Sequence, residues 1–374
     1  MALSSVVNAG WQDPLETPAM ETLRAHEELL LDVTNAGDRL VSAGAHGHIV
    51  FSDDGGLSWR QGEVPVSVTL TSVDFYGERN GWAVGHDGVI LGSEDGGKTW
   101  TKQFDGYQAN KAILEAARSN LAVMEERAEL AAEGSDEEAD EAMMALETAQ
   151  FTLQDAEYDF ETGSTKPFLD VEFWSEKEGI AIGAYGMAFT TEDGGKSWQD
   201  MASRLPNPDR LHLNSITRTG EQTMVITGEM GLLLRSEDAG QSWTPQPSPY
   251  DGSLFGLVDK DKLQLLFALR GHVYQSWDEG ITWEELNTGV EQTLLGGFET
   301  EKGAVLVGNG GAVILLDRNF RNPRSVILEG RKASAAVTRA TQGHFVIVGE
   351  AGVKLLDPQG HLMQAEISMA QGDL

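Results

Sequence analysis

Gly81-Trp82-Ala83-Val84-Gly85-His86-Asp87-Gly88-Val89-Ile90-Leu91-Gly92-Ser93-Glu94-Asp95-Gly96-Gly97-Lys98-Thr99-Trp100 decides the fold, because both of its halves recur along the chain. The first half is a Gly-x-x-Gly turn between two apolar runs. The second is an octapeptide, Ser/Thr-x-Asp-x-Gly-x-Ser/Thr-Trp. Further octapeptides span 52–59, 191–198, 236–243 and 276–283, and their Trp residues lie 41, 98, 45 and 40 apart in chain order. The long interval is one ordinary repeat plus an insertion of roughly fifty residues, since a repeat architecture keeps its period.

The turn gives the count of units. It occurs at 44–47, 85–88, 183–186 and 228–231, as Leu269-Arg270-Gly271 without its first Gly, and again at 308–311 and 349–352, where no octapeptide follows. Seven units result. Within one unit the reading is four short strands, for example 71–76, 81–85, 89–93 and 98–103, separated by turn residues. Seven four-stranded sheets of about 40 residues cover both their faces only by packing around an axis. The expected fold is therefore all-β, a seven-bladed β-propeller, with residues 1–374 forming a single propeller domain.

The octapeptide is the Asp box. Its carboxylate is expected to accept backbone N–H bonds across a tight turn, Gly to supply positive φ, and Trp to pack into the sheet. The structural set is Asp54 with Trp59, Asp95 with Trp100, Asp193 with Trp198, Asp238 with Trp243, and Asp278 with Trp283.

Residues 107–162 depart from the β pattern, being rich in Ala, Glu and Leu with no Pro. Ile113, Ala117, Leu121, Met124, Ala128 and Ala131 form one apolar stripe at helical spacing. Met143, Leu146, Ala149, Leu153, Ala156 and Phe160 form another. Gly134 is placed to stop the first helix, and Ser135 with Glu138 to start the second through a capping box. An antiparallel helical hairpin inserted between blades 2 and 3 is expected. Its 3 Lys/Arg against 15 Asp/Glu leave a net charge of −12.

The whole chain of 374 residues carries 27 Lys+Arg and 59 Asp+Glu, a net charge of −32, which repels phosphate backbones and anionic lipid headgroups. No nucleic-acid partner and no membrane insertion are expected. No Cys is present, which excludes disulfides and thiolate metal sites. His46-Gly47-His48, His86 and His272 have no ligand spacing, and phosphate-loop, nucleophile-elbow and zinc-protease motifs are absent, so no cofactor, metal or catalytic residue is expected. The rival reading is a glycoside hydrolase of the Asp-box, sialidase-like type. Against it, the only triplet similar to the sialidase Arg-Ile-Pro motif, Arg204-Leu205-Pro206, follows the third box instead of preceding the first.

The stretch 81–100 and the parallel run Gly179-Ile180-Ala181-Ile182-Gly183 before the 191–198 box resemble the photosystem II stability/assembly factor family and its bacterial relatives outside photosynthesis. The resemblance covers most of the chain outside 107–162. It implies a seven-bladed, non-catalytic propeller that is exported from the cytoplasm and helps membrane complexes assemble. For this acidic chain, the expectation is a protein-binding accessory factor at an envelope complex, a transporter being the favoured example, in the periplasm or otherwise exported. The start Met1-Ala2-Leu3-Ser4-Ser5 shows no signal peptide. A partner-binding face is expected on the turn side, beside the acidic hairpin, formed by His46, His86, Asp87, Tyr185, Glu229, Met230, Arg270, Asn309 and Glu350. The segment from Val6 to Trp11 is expected to add an outer strand to the last blade.

Overall fold

A computed structural model describes residues 12–260 and 262–370. Seven antiparallel sheets follow one another around an axis, and within each the strands run in chain order from the axis outward. Blade 1 comprises β1 (Leu30–Ala36), β2 (Arg39–Gly44), β3 (Ile49–Ser52) and β4 (Ser58–Gln61), and blade 2 comprises β5 (Leu70–Tyr76), β6 (Asn80–Gly85), β7 (Ile90–Ser93) and β8 (Thr101–Phe104). Two helices follow, α1 (Gly106–Ala131) and α2 (Asp136–Thr162). Blade 3 then opens with β9 (Phe168–Phe173).

Burial explains the sequence of each strand. The second strands are sandwiched between neighbouring blades and are buried along almost their whole length, as in Gly179–Gly183 and Gly303–Gly308. They therefore read as continuous apolar runs and not as alternating ones. The core is divided accordingly into clusters between adjacent blades. Val41, Ile49, Leu70 and Leu91 join blades 1 and 2, Val305, Val307, Ile347 and Leu356 join blades 6 and 7, and Leu40, Trp59, Val346 and Leu355 close the ring between blades 7 and 1. Trp82 lies flat on Phe173 across the next interface, with ring centroids 3.4 Å apart.

The boxes staple the outer hairpins. Asp95 Oδ1 accepts from the Lys98 and Thr99 amides at 3.0 Å, its Oδ2 accepts from the Thr99 hydroxyl, and Trp100 Nε1 donates to Gly97 O. The amide and hydroxyl bonds from the residue four positions on recur around Asp54, Asp193, Asp238 and Asp278. The indole bond recurs at Trp59 and Trp243 but not at Trp198 and Trp283, whose Nε1 atoms are buried without a partner among the described residues. Because the box turn uses the amides of residues 98 and 99, the outer strand of blade 2 starts at Thr101 and not at Lys98. Trp59, Trp100, Trp198 and Trp243 are buried, whereas Trp283 is only half-buried. Blades 6 and 7 keep the turn without the motif: Asp317 accepts from the Asn319 and Arg321 amides, and Asp357 from those of Gln359 and His361. Phe320, three residues after Asp317, is fully buried and packs in the cluster between blades 5 and 6, as Trp243 does between blades 3 and 4.

The segment from Val6 to Trp11 lies outside the described residues, and a C-terminal strand, β10 (Ser368–Met369), pairs in parallel with β4 on the outer edge of blade 1. Ala365, Ile367 and Met369 pack on the cluster that contains Trp59. Among the described residues, blade 7 itself has three strands and one further bridge, Leu356 to Leu362.

Both helices start on capping boxes, Asp105 with Gln108 and Ser135 with Glu138. The seam on α2 runs through Ala142, Ala149 and Ala156, at seven-residue intervals. Met143 and Phe160, expected in that seam, are exposed instead. Three alanines let the backbones approach closely, and the two larger side chains are turned outward. At its base the hairpin belongs to the ring: Ala109, with Ala112 and Ile113 packed beside it, shares a cluster with Phe104, Phe168 and Phe189.

Candidate functional site

All seven turns between second and third strands open on one side of the ring. In each, the amide after the first turn position donates to the carbonyl preceding its own inner strand, as from His86 N to Thr69 O and from Ala184 N to Pro167 O. Six blades have Gly at the first position, where a Cβ on Gly85 would sit 2.3 Å from Thr69 O, and blade 5 makes the same bond with Ala268 there. The third turn position is left-handed in six blades, and five of these residues are not glycine: His46, Asp87, Tyr185, Met230 and Arg270, with φ between 51° and 58°. A left-handed residue turns its side chain away from the sheet, and for any residue but Gly it costs roughly 1 kcal/mol or more.

These side chains differ in availability. His46, His86, Tyr185, Met230, Arg270 and Asn309 are exposed. Asp87 is half-buried, and burial raises its carboxyl above the usual range. Glu229 and Glu350 fold back onto their own blades, accepting from the amides of His212 and Ala333, and Lys332 pairs with Glu350 at 3.1 Å. His48 is buried, with Nε2 at 3.2 Å from Met20 O. Among the described residues, no group of three or more His, Asp or Glu is placed to hold a metal ion.

Two segments frame the face. Residues 13–26 run from the hairpin base, where Asp13 meets the Tyr107 hydroxyl, past the link between blades 1 and 2 to the tip of blade 7, where His26 O accepts from Val353 N. They border the tips of blades 1 and 2 and leave those of blades 3 to 6 open. The hairpin joins the open part. Asp159 of α2 pairs with Lys166, Lys166 lies over the Tyr185 ring, Tyr185 meets His212 edge-on at 4.7 Å, and Arg210 pairs with Asp155 of α2 at 3.2 Å. A continuous surface therefore runs from the lower part of α2 across the tips of blades 3 and 4.

The axis was not legible as a site. A channel of about 1070 Å³ is lined by the inner strands and carries Asp32, Asp74, Asp170 and Glu172. Burial pushes Asp32 up to about 6 and Asp74 to about 7, against the amides that hydrogen-bond to them, and it also raises Asp170 and Glu172. Three of the four link neighbouring blades: Asp32 accepts from Val73 N, Asp74 from Phe173 N and Asp170 from Ile216 N, at 2.8–2.9 Å. The sequence signal was a carboxylate near the middle of each of these inner strands, visible once the strands are aligned by blade.

The profile of the family described as "Photosynthesis system II assembly factor YCF48" matches residues 21–110 and 149–354. The unmatched stretch between them lies in the hairpin. Over 71 residues the chain is 35% identical to the "Photosystem II assembly lipoprotein Ycf48" of Synechococcus sp. (strain CC9902), a match that spans 16% of this chain and 21% of that protein. Among solved structures, "YCF48 bound to D1 peptide" superposes with a TM-score of 0.60 at 15% identity, covering 88% of this chain and 93% of the other. "YCF48 from Cyanidioschyzon merolae" gives 0.59 at 15% identity, covering 91% and 97%. At these identities the structures show a shared propeller fold. The family match extends over most of the chain and both of its repeat signals, and the chain belongs to the YCF48 family of photosystem II assembly factors.

Proposed function

We propose that this protein is a non-catalytic docking factor for the assembly of a membrane protein complex, and that it binds a partner segment on the open turn face of blades 3 to 6. The observation that carries this reading is the set of left-handed tips. Tyr185, Met230 and Arg270 present exposed side chains from a backbone conformation that glycine would adopt at lower cost. Aromatic and Arg anchors of this kind usually dominate the affinity of a protein interface. The relative described as bound to D1 peptide holds a peptide, and the same mode here would engage a peptide segment of a membrane protein. Export is part of the proposal, supported by the relative described as a lipoprotein. Among the described residues, no helix is long and apolar enough to cross a membrane.

The test uses the full chain and its Tyr185→Ala/Arg270→Ala variant as baits against detergent-solubilised envelope membranes of the source organism. An integral membrane protein, transporter subunits included, should be enriched on the parent and lost on the variant. Equal capture by both, or capture of no membrane protein, would overturn the proposal. The glycosidase alternative predicts turnover of sialosides or β-glucans that Asp74→Asn abolishes. The acidic channel disfavours it, because a sialic acid carboxylate would meet four carboxyl groups there.

A further inference from the structure

α2 presents an unusual outer face. Spacings of four, three, four, four and three residues place Asp140, Met144, Glu147, Phe151, Asp155 and Tyr158 on one side of the helix. Met144, Phe151 and Tyr158 are 70%, 59% and 68% exposed, and they lie opposite the alanine seam that faces α1. Large apolar side chains alternating with carboxylates along a solvent-facing stripe of about 27 Å, at 1.5 Å per residue, exceed what solubility requires of a projecting helix.

Charge selects the occupant. α2 contains ten Asp and Glu residues and no Lys or Arg. Three of these carboxylates have basic partners elsewhere: Asp155 with Arg210, Glu157 with Arg118 and Asp159 with Lys166. Among the described residues, Asp140 and Glu147, on the apolar stripe itself, have no ion-pair partner. A second copy of the same face would bring like charges together, as would an anionic lipid surface. A basic segment brings neither penalty.

We infer that the outer face of α2 is a docking site for a basic amphipathic helix of a partner protein, with apolar residues at seven-residue spacing and Lys or Arg between them. Such a helix lays its apolar positions against Met144, Phe151 and Tyr158 and its cations against Asp140 and Glu147. The inference rests on the reading of this protein as a docking factor and adds a second contact, separate from the turn tips. Arg210 and Lys166 at the foot of α2 mark the end of the stripe nearest the ring, so one partner chain can span both surfaces.

The experiment is binding of fluorescent 18-residue helical peptides to the full chain, measured by anisotropy at two salt concentrations. One peptide carries Leu at seven-residue spacing with Lys and Arg between, and a second has the same Leu positions with Glu in place of the cations. The basic peptide should bind, and more weakly at high salt. Met144→Ser/Phe151→Ser/Tyr158→Ser should weaken it at least tenfold while far-UV circular dichroism and melting stay like the parent, because all three side chains are exposed. Tyr185→Ala/Arg270→Ala should leave peptide binding unchanged, which separates failure at this site from failure of the turn face. Equal binding of the acidic peptide, or no loss in the triple variant, would overturn the inference. So would concentration-dependent dimerisation of the parent that the triple variant abolishes, or binding to anionic vesicles in place of the basic peptide.

Discussion

Two sets of carboxylates, those of the boxes and those of the channel, give this protein opposite dependences on pH. In the boxes, hydroxyl donors Ser197, Ser242 and Thr282 hold Asp193, Asp238 and Asp278 below the usual carboxylate range. A depressed carboxylate contributes stability that is present above its unfolded value and is lost as pH falls through the folded one. In the channel the sign reverses. Asp74 titrates at about 7 in the folded ring against 3.8 for the free group, so between these values the folded state keeps a proton that the unfolded chain releases. Stability should therefore fall as pH rises from about 4 to about 7. Asp74→Asn, which keeps an acceptor for Phe173 N, should flatten that decline in denaturant titrations at pH 5 and pH 8, and equal slopes would refute the assignment. Removing a box aromatic acts through packing instead. Trp100→Ala deletes a buried indole and its bond to Gly97 O, and should cost about 3–5 kcal/mol by urea denaturation.

At the scale of elements, the hairpin has two parts with different roles. Its base is core: Ala109, Ala112 and Ile113 pack with Phe104, Phe168 and Phe189, and Asn110 Nδ2 donates to Asp159 O and Gly163 O. Above Leu114 and Ala156 the helices pack on each other, and Asp155 reaches across to Arg210 of the ring. Replacing 109–160 by a short Gly-Ser bridge should consequently expose Phe104 and lower the melting temperature by several degrees. Replacing only 120–150 should leave melting within a degree or two of the parent and remove most of the acidic face. Scanning calorimetry of both deletions checks this, and equal melting would show that the base contributes nothing to the ring.

For the whole molecule, the strength of the closed ring depends on its seam. Among the described residues, six blades hold their own outer strands from local sequence, but blade 1 also receives β10 from the far end of the chain, and residues 25–27 lie against the tip of blade 7. Removing residues 364–374 strips Ala365, Ile367 and Met369 from the Trp59 cluster. The truncated protein should unfold at lower denaturant, with Trp emission shifted to the red before the main transition as the seam opens first. A single transition at the parental midpoint would place closure elsewhere.

The local repeat determined the blade count, the box chemistry and the hairpin with its caps, because each depends on contacts within a few residues: an Asp and the amides three and four positions on, a Gly beside its own carbonyl neighbour, a Ser with a Glu three residues later. The boxes of blades 6 and 7 escaped detection because their function survives without the consensus. Asp317 follows Gly311 by six residues and Asp357 follows Gly352 by five, where the other blades have seven, and the buried aromatic of blade 6 is Phe320, three residues after Asp317. What joins distant parts of the chain was settled by tertiary structure alone. Pairing of residue 368 with residue 58, the meeting of Asp32, Asp74 and Asp170 at the axis, and the path from α2 through Lys166 to Tyr185 all depend on where the closed circle places each blade. The same geometry turned Met143 and Phe160 outward, since an alanine seam at seven-residue spacing packs two helices more closely than the larger side chains of the expected stripe allow.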